Sequence, residues 1–184
     1  MRNRFCQWRV RAAGLFRRIP APMDGWVLGT PSLTARLRMR CGDAFSVRVL
    51  NENWASPSLD EACRLDIDRR RFAWIREVLL LCGDRPQIFA RSVIPAASLR
   101  GGNRALQVLG NRPLGELLFT SPEASRSETE VALLHPDDWL ARRVPTAASR
   151  ASEAIWARRV VHHLRGRPLL VTEVFLPELT DDGG

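Results

Sequence analysis

WIREVLLLCGDRPQIFARSVIP, residues 74–95, decides how the fold is read. Two runs rich in branched and aromatic residues flank a turn at residues 83–86, the pattern of an antiparallel hairpin. A second stretch of the same length, WARRVVHHLRGRPLLVTEVFLP (residues 156–177), reads the same way with its turn at 165–168. Aligned without gaps, the two share Trp74/Trp156, Arg76/Arg158, Val78/Val160, Arg85/Arg167, Pro86/Pro168 and Pro95/Pro177, which suggests two equivalent hairpins.

Outward from the hairpins, residues 30–42 read as a short helix capped by Ser32, with Leu33 and Leu37 apolar and Gly42 closing it. Residues 45–54 alternate as a strand, and 55–66 read as a loop and connector. Between the hairpins, residues 96–110 and 113–121 read as two short helices broken at 110–113, a helix-turn-helix unit. Residues 121–134 offer a short strand entry, and 135–153, polar and Ala-rich, a loop carrying one helix. The expected fold class is α+β: one domain with an antiparallel β-sheet, and helices around one face and its edges. The domain is expected over residues 20–178. Residues 1–19 form a basic N-terminal extension open to disorder, and 179–184 an acidic tail.

Bulk composition restricts the function classes. The net charge is +8 and all 28 basic residues are arginine, yet they are scattered among acids without aromatic interleaving. A nucleic-acid binder is therefore disfavoured. No apolar run reaches the ~18 residues of a membrane-spanning helix, so no stable membrane insertion is expected. Cys6, Cys41, Cys63 and Cys82 show no CxxC spacing and follow no secretory signal, which points to reduced thiols in a cytoplasmic protein. His135, His162 and His163 are too poorly spaced to suggest zinc, the last two pointing to opposite faces of a strand.

Two charges stand in the wrong place. By period-two alternation Arg76 is the only charge on its strand face, shared with Phe72, Trp74, Val78, Leu80 and Cys82. Glu173 is likewise alone among Leu169, Val171 and Phe175. An unpaired charge in an apolar layer costs several kcal/mol, so each needs a partner. Either they pair with each other or with a neighbour, or they face a closed pocket in which Arg76 grips a carboxylate and Glu173 takes a hydroxyl or a proton. Arg91, aligned with Glu173 in the repeat, reads as a solvent-facing strand arginine or a contact to a second carboxylate. The helix starting after Pro113 opens on bare amides at Leu114 and Gly115, which meet either water or the same carboxylate. Gly115, a poor helix former, reads as room for a ligand or a flap turn.

The combination of WIREVLLLC, ARSVIP, ALQVLGNRPLGELLFTS and GRPLLVTEVFLP resembles the chorismate pyruvate-lyase family, over residues 20–177. The resemblance implies helix-turn-helix flaps over a buried ligand pocket, and conversion of chorismate to 4-hydroxybenzoate and pyruvate for ubiquinone synthesis. It further implies no metal or organic cofactor, chorismate as the small-molecule partner, a monomer, and product inhibition. Residue by residue, the family's binding arginine falls on Arg76, its leucine acting through a backbone amide on Leu114, and its glutamate on Glu173. A pocket methionine falls on Leu33, a volume-conserving change, and a family glycine before the sheet arginine is Ala90 here. The alternative is a non-catalytic sensor of aromatic carboxylates on the same fold. Such domains follow a DNA-binding module of ~70 residues, and only about 20 residues precede the resemblance.

Overall fold

A computed structural model describes residues 7–10, 19–29, 32–145, 148 and 153–179. In chain order it contains β1 (Arg9–Val10), α1 (Ala21–Val27), α2 (Leu33–Cys41), β2 (Phe45–Ala55), α3 (Leu59–Leu65), β3 (Ala73–Cys82), β4 (Arg85–Pro95), α4 (Leu114–Thr120), β5 (Ala124–Arg126), β6 (Glu130–Leu134), β7 (Ile155–Leu164) and β8 (Arg167–Phe175). All pairings are antiparallel, in the order β1-β6-β7-β8-β4-β3-β2, with β5 also on β7. The fold is α+β, as the sequence implies.

Both hairpins form, turning at Gly83–Asp84 and Arg165–Gly166. Gly83 and Gly166 sit at φ of 61° and 69°, where a residue with a Cβ is strained. The inner strands pair with each other, Arg91 opposite Thr172 and Ala90 opposite Glu173, so the hairpins are related by an approximate two-fold axis through the sheet. Their equivalence is not gapless. Leu80 pairs with Ile88 but Leu81 with Pro86, leaving Gln87 as an extra residue, a β-bulge in β4. Beyond it β4 is displaced by one residue, and the counterpart of Glu173 is Ser92: Arg76 pairs with Ser92 as Arg158 pairs with Glu173. A one-residue slip exchanges the faces of a strand. Arg91 therefore points to the opposite side from Glu173, against the gapless alignment.

Helices were expected around one face and the edges, but both faces are covered. On the front, Met23 and Trp26 of α1 and Leu33 and Leu37 of α2 pack on Val78, Leu80 and Ile88, and Leu114 and Leu118 of α4 pack on Ile94 and Leu169. On the back, Leu65 of α3 packs on Val93 and Leu170, and Leu140 and Val144 pack on Leu79, Phe89 and Val174. The run Leu79-Leu80-Leu81 explains this, since consecutive leucines place apolar area on both faces.

Ser32 caps α2 through Ala35 N at 3.3 Å, as its sequence predicts. The connector at 55–66, in contrast, contains α3. Ser58 and Glu61 close a reciprocal capping box, at 3.2 Å to the Ser58 hydroxyl and 2.9 Å to the Glu61 carboxylate, which nucleates the helix. Part of the basic leader is also built into the fold. Arg9 and Val10 pair with Val131 and Glu130 of β6, and the Trp8 indole donates to Asp60 at 3.0 Å. Residues 1–6, 11–18 and 180–184 lie outside the described residues, as do 146–147 and 149–152 within the 135–153 segment, which shows a short 3-10 turn at Ala141–Arg143.

The expectation of reduced thiols fails for one pair. Cys41, the last residue of α2, and Cys82, the last of β3, are disulfide-bonded with a Cα separation of 5.4 Å. They are 41 residues apart, and only the packing of α2 over the end of β3 brings them together. Cys63 is free and exposed. Among the described residues, no helix is long and apolar enough to cross a membrane.

Candidate active site

A cavity lies between the front face of β3, β4, β8 and β7 and the helices α2 and α4. Its floor is apolar, with Val78, Leu80, Ala90, Val160 and Val171, and both charges singled out from the sequence, Arg76 and Glu173, line it. They do not pair with each other. Each has its own partner, and the cavity lies over both.

Arg76 is 2% exposed. One of its Nη atoms pairs with the Glu52 carboxylate directly across on β2, and the other donates to the Arg112 carbonyl at 3.1 Å. A bulge at Leu50 sets this register: Val49 faces Val78 but Asn51 faces Glu77, which brings Glu52 opposite Arg76. The Arg112 contact fixes the chain one residue before Pro113, so the mouth of α4 is tied to the arginine. Pro113 supplies no side-chain cap, and Leu114, 7% exposed, lines the cavity as the first helical residue. The Leu114 amide and the Arg76 guanidinium thus occupy one corner.

Glu173 faces Ala90 on one side and Arg158 on the other. Arg158 Nε donates to its carboxylate at 2.6 Å, and Arg158 Nη1 reaches the carbonyls of Gly29 at 2.8 Å and Trp26 at 3.3 Å. Arg158 therefore holds the carboxylate in one position and anchors the segment after α1 above it. Arg76 and Glu173 stand two strands and one row apart, which is on the order of 12 Å between backbones. The cavity lies between the two side chains.

The remaining sequence candidates are placed elsewhere. Leu33 is 4% exposed in the core with Val27 and Leu37, and its neighbour Thr34 lines the cavity instead. Arg91 is buried on the back face, where Nε and Nη2 meet Glu61 at 2.7 and 3.0 Å and Nη1 meets Glu77 at 2.7 Å. It is neither solvent-facing nor in the cavity, because the Gln87 bulge turns it away. Burial alone would raise the Glu77 carboxyl, but Arg143 and Arg91 outweigh it and hold it below the usual carboxylate value. Gly115 serves helix packing as well as the cavity: a Cβ there would lie 2.9 Å from Thr34 Oγ1, so its absence lets α4 rest on α2.

Sequence reasoning missed Glu52, Arg158, Arg126 and His162 at this site. Arg158 had a signal, since it aligned with Arg76 in the repeat. Glu52 had none, because the bulge that places it cannot be read from strand alternation. His162 lines the cavity opposite Arg126 of β5, and its ring meets Phe119 edge-on at 6.3 Å between centroids. Burial, reinforced by the charges of Arg126, Arg158 and His163, pushes its pKa down to about 4. The imidazole is therefore neutral at neutral pH and contributes a hydrogen-bonding group, not a charge. Between pH 6.5 and 4 the unfolded chain binds this proton and the folded chain does not, so stability falls as pH drops through that window. We expect His162→Leu to flatten this acid-side slope, by on the order of 2–3 kcal/mol at its foot, in denaturant titrations at pH 7 and pH 4.5.

Comparisons with known proteins identify the family. The family described as chorismate lyase matches residues 8–183. A probable chorismate pyruvate-lyase of Aromatoleum aromaticum is 45% identical over 89% of this chain and 89% of its own length. Another, of Methylococcus capsulatus, is 44% identical over 84% of this chain and 94% of its own. Among solved structures, a GntR-family transcriptional regulator of Bacillus cereus superposes with a TM-score of 0.54 at 14% identity, over 77% of this chain and 98% of that one. The ligand-binding domain of a GntR-family regulator of Bordetella bronchiseptica gives 0.51 at 15%, over 74% and 88%. These two likenesses are of fold alone. With the family match spanning nearly the whole described chain and close relatives on both counts of coverage, the chain belongs to the chorismate lyase family.

Proposed function

We propose that the protein cleaves chorismate to 4-hydroxybenzoate and pyruvate, supplying the aromatic precursor of ubiquinone. The observation that carries this reading is that the buried Arg76 and the half-buried Glu173, each with its own counter-charge, line one cavity. Arg76 and the Leu114 amide hold the ring carboxylate. Glu173, fixed by Arg158, accepts a hydrogen bond from the ring hydroxyl.

The chemistry asks little more of the protein. The bond between the ring and the enolpyruvyl oxygen breaks, and the neighbouring ring carbon, which bears the hydroxyl, loses its hydrogen as a proton. The ring becomes aromatic, and the departing enolate takes up one proton at its methylene carbon to become pyruvate. The ring proton goes either to Glu173 or, in a concerted elimination without a formal base, directly to the departing enolpyruvate. The cavity's contribution is orientation and exclusion of water. The same groups that bind substrate also bind the aromatic product, so slow release and product inhibition follow.

A sensor that binds an aromatic carboxylate without turning over chorismate is the second reading, favoured only by the fold shared with regulator domains. One assay separates them. Purified protein mixed with chorismate should develop the absorbance of 4-hydroxybenzoate. Binding of 4-hydroxybenzoate with no product formed from chorismate would select the sensor instead.

A further inference from the structure

Chorismate carries two carboxylates, one on the ring and one on the enolpyruvyl arm, whereas 4-hydroxybenzoate keeps only the first. Arg76, Leu114 and Glu173 account for the ring carboxylate and the hydroxyl, which is everything the aromatic product presents. The cavity, however, extends past them. It continues across β7 to β5, where Arg126 and Thr129 line it. Arg126 stands opposite His162, and its guanidinium lies 5.8 Å from the ring centroid of Phe119, itself a cavity residue on α4.

Arg76 on β3 and Arg126 on β5 are separated by β4, β8 and β7. Four strand spacings put their backbones on the order of 19 Å apart, so the two arginines line opposite ends of the cavity. The groups between them add little positive charge. Arg158 is taken up by Glu173, and His162 is neutral at neutral pH. Thr129 adds a hydroxyl at the same end.

We infer that Arg126 is the specificity-determining residue for the second carboxylate, gripping the enolpyruvyl arm at the opposite end of the cavity from Arg76. This rests on the chorismate reading above. Arg126 is an exposed residue, so the arm it holds lies toward solvent while the ring lies under α2 and α4. Once the ether bond breaks, pyruvate departs through this end and the aromatic product remains held by Arg76 and Glu173.

The test separates substrate from product. Arg126→Met keeps a long unbranched side chain and removes the guanidinium, with its charge and its contact to the Phe119 ring. We expect kcat/KM for chorismate to fall roughly tenfold or more, the loss of one charge-assisted contact. The dissociation constant of 4-hydroxybenzoate, followed by tryptophan fluorescence, should stay within about twofold, because the product has nothing for Arg126 to hold. Arg126→Lys should recover part of the turnover. Parallel losses of turnover and product affinity, or no loss of either, would overturn the assignment. Absence of any product with the unaltered protein would instead overturn the chorismate reading, a separate outcome.

Discussion

Arg76→Ala should lower kcat/KM for chorismate by roughly 100-fold and weaken 4-hydroxybenzoate binding to a similar degree, since both ligands present the ring carboxylate. A charge-assisted hydrogen bond contributes about 1.5–3 kcal/mol, and a two-pronged guanidinium grip lies at the upper end of that range. The substitution also strands the Glu52 carboxylate. Because the Glu52 side chain is 22% exposed it keeps some water, and the stability cost should be about 1–3 kcal/mol, below the 3–5 kcal/mol of a fully buried pair. Loss of the contact to the Arg112 carbonyl should also loosen the start of α4. Arg76→Lys distinguishes charge from geometry: lysine restores the ion pair with Glu52 but not the fork, so stability should recover further than activity. Unchanged turnover in a folded Arg76→Ala protein would remove the residue from the site.

Glu173→Gln should cost at least ~100-fold in kcat, within the range of a lost general base. Glutamine retains an acceptor for the Arg158 Nε–H but no negative charge, which leaves a buried arginine neutralised only by backbone carbonyls. A stability loss of about 1–3 kcal/mol accompanies this. Product affinity is the informative second measurement, since glutamine can still accept a hydrogen bond from the phenol. A large fall in kcat with nearly unchanged 4-hydroxybenzoate binding identifies proton removal as the role of Glu173. Equal falls in both identify positioning.

Much of this protein was legible before its structure. The two hairpins announced themselves because strand alternation and Gly-containing turns are local properties. Arg76 and Glu173 stood out by the same logic, as charges on faces otherwise apolar. The cap at Ser32 and the break before Pro113 were equally local. The capping box at Ser58 and Glu61 is local too, although the stretch around it reads as a connector and it forms α3.

The misplaced residues share another cause. A gapless repeat aligns Arg91 with Glu173, and the Gln87 bulge moves one strand by a single residue. The partner of Arg76 was hidden by a second bulge at Leu50. Bulges answer to the partner strand and the sheet's twist, and a single chain's alternation carries no trace of them. Gly115 illustrates the same limit at a helix: its missing Cβ is explained by Thr34, about 80 residues away in sequence and 2.9 Å from the position it would fill.

Sequence by itself determined the α+β class, the hairpins, the two charges that must find partners and the family the motifs resemble, all of which follow from residue type and short-range spacing. Tertiary structure decided that Arg76 and Glu173 have separate counter-ions, that they share one cavity without touching, and that Cys41 reaches Cys82. It also brought Arg158, His162 and Arg126 into that cavity. These depend on strand register and on which helix lies over which face. Register is fixed by pairing across the whole sheet, and a shift of one residue would send each of these side chains to the other side.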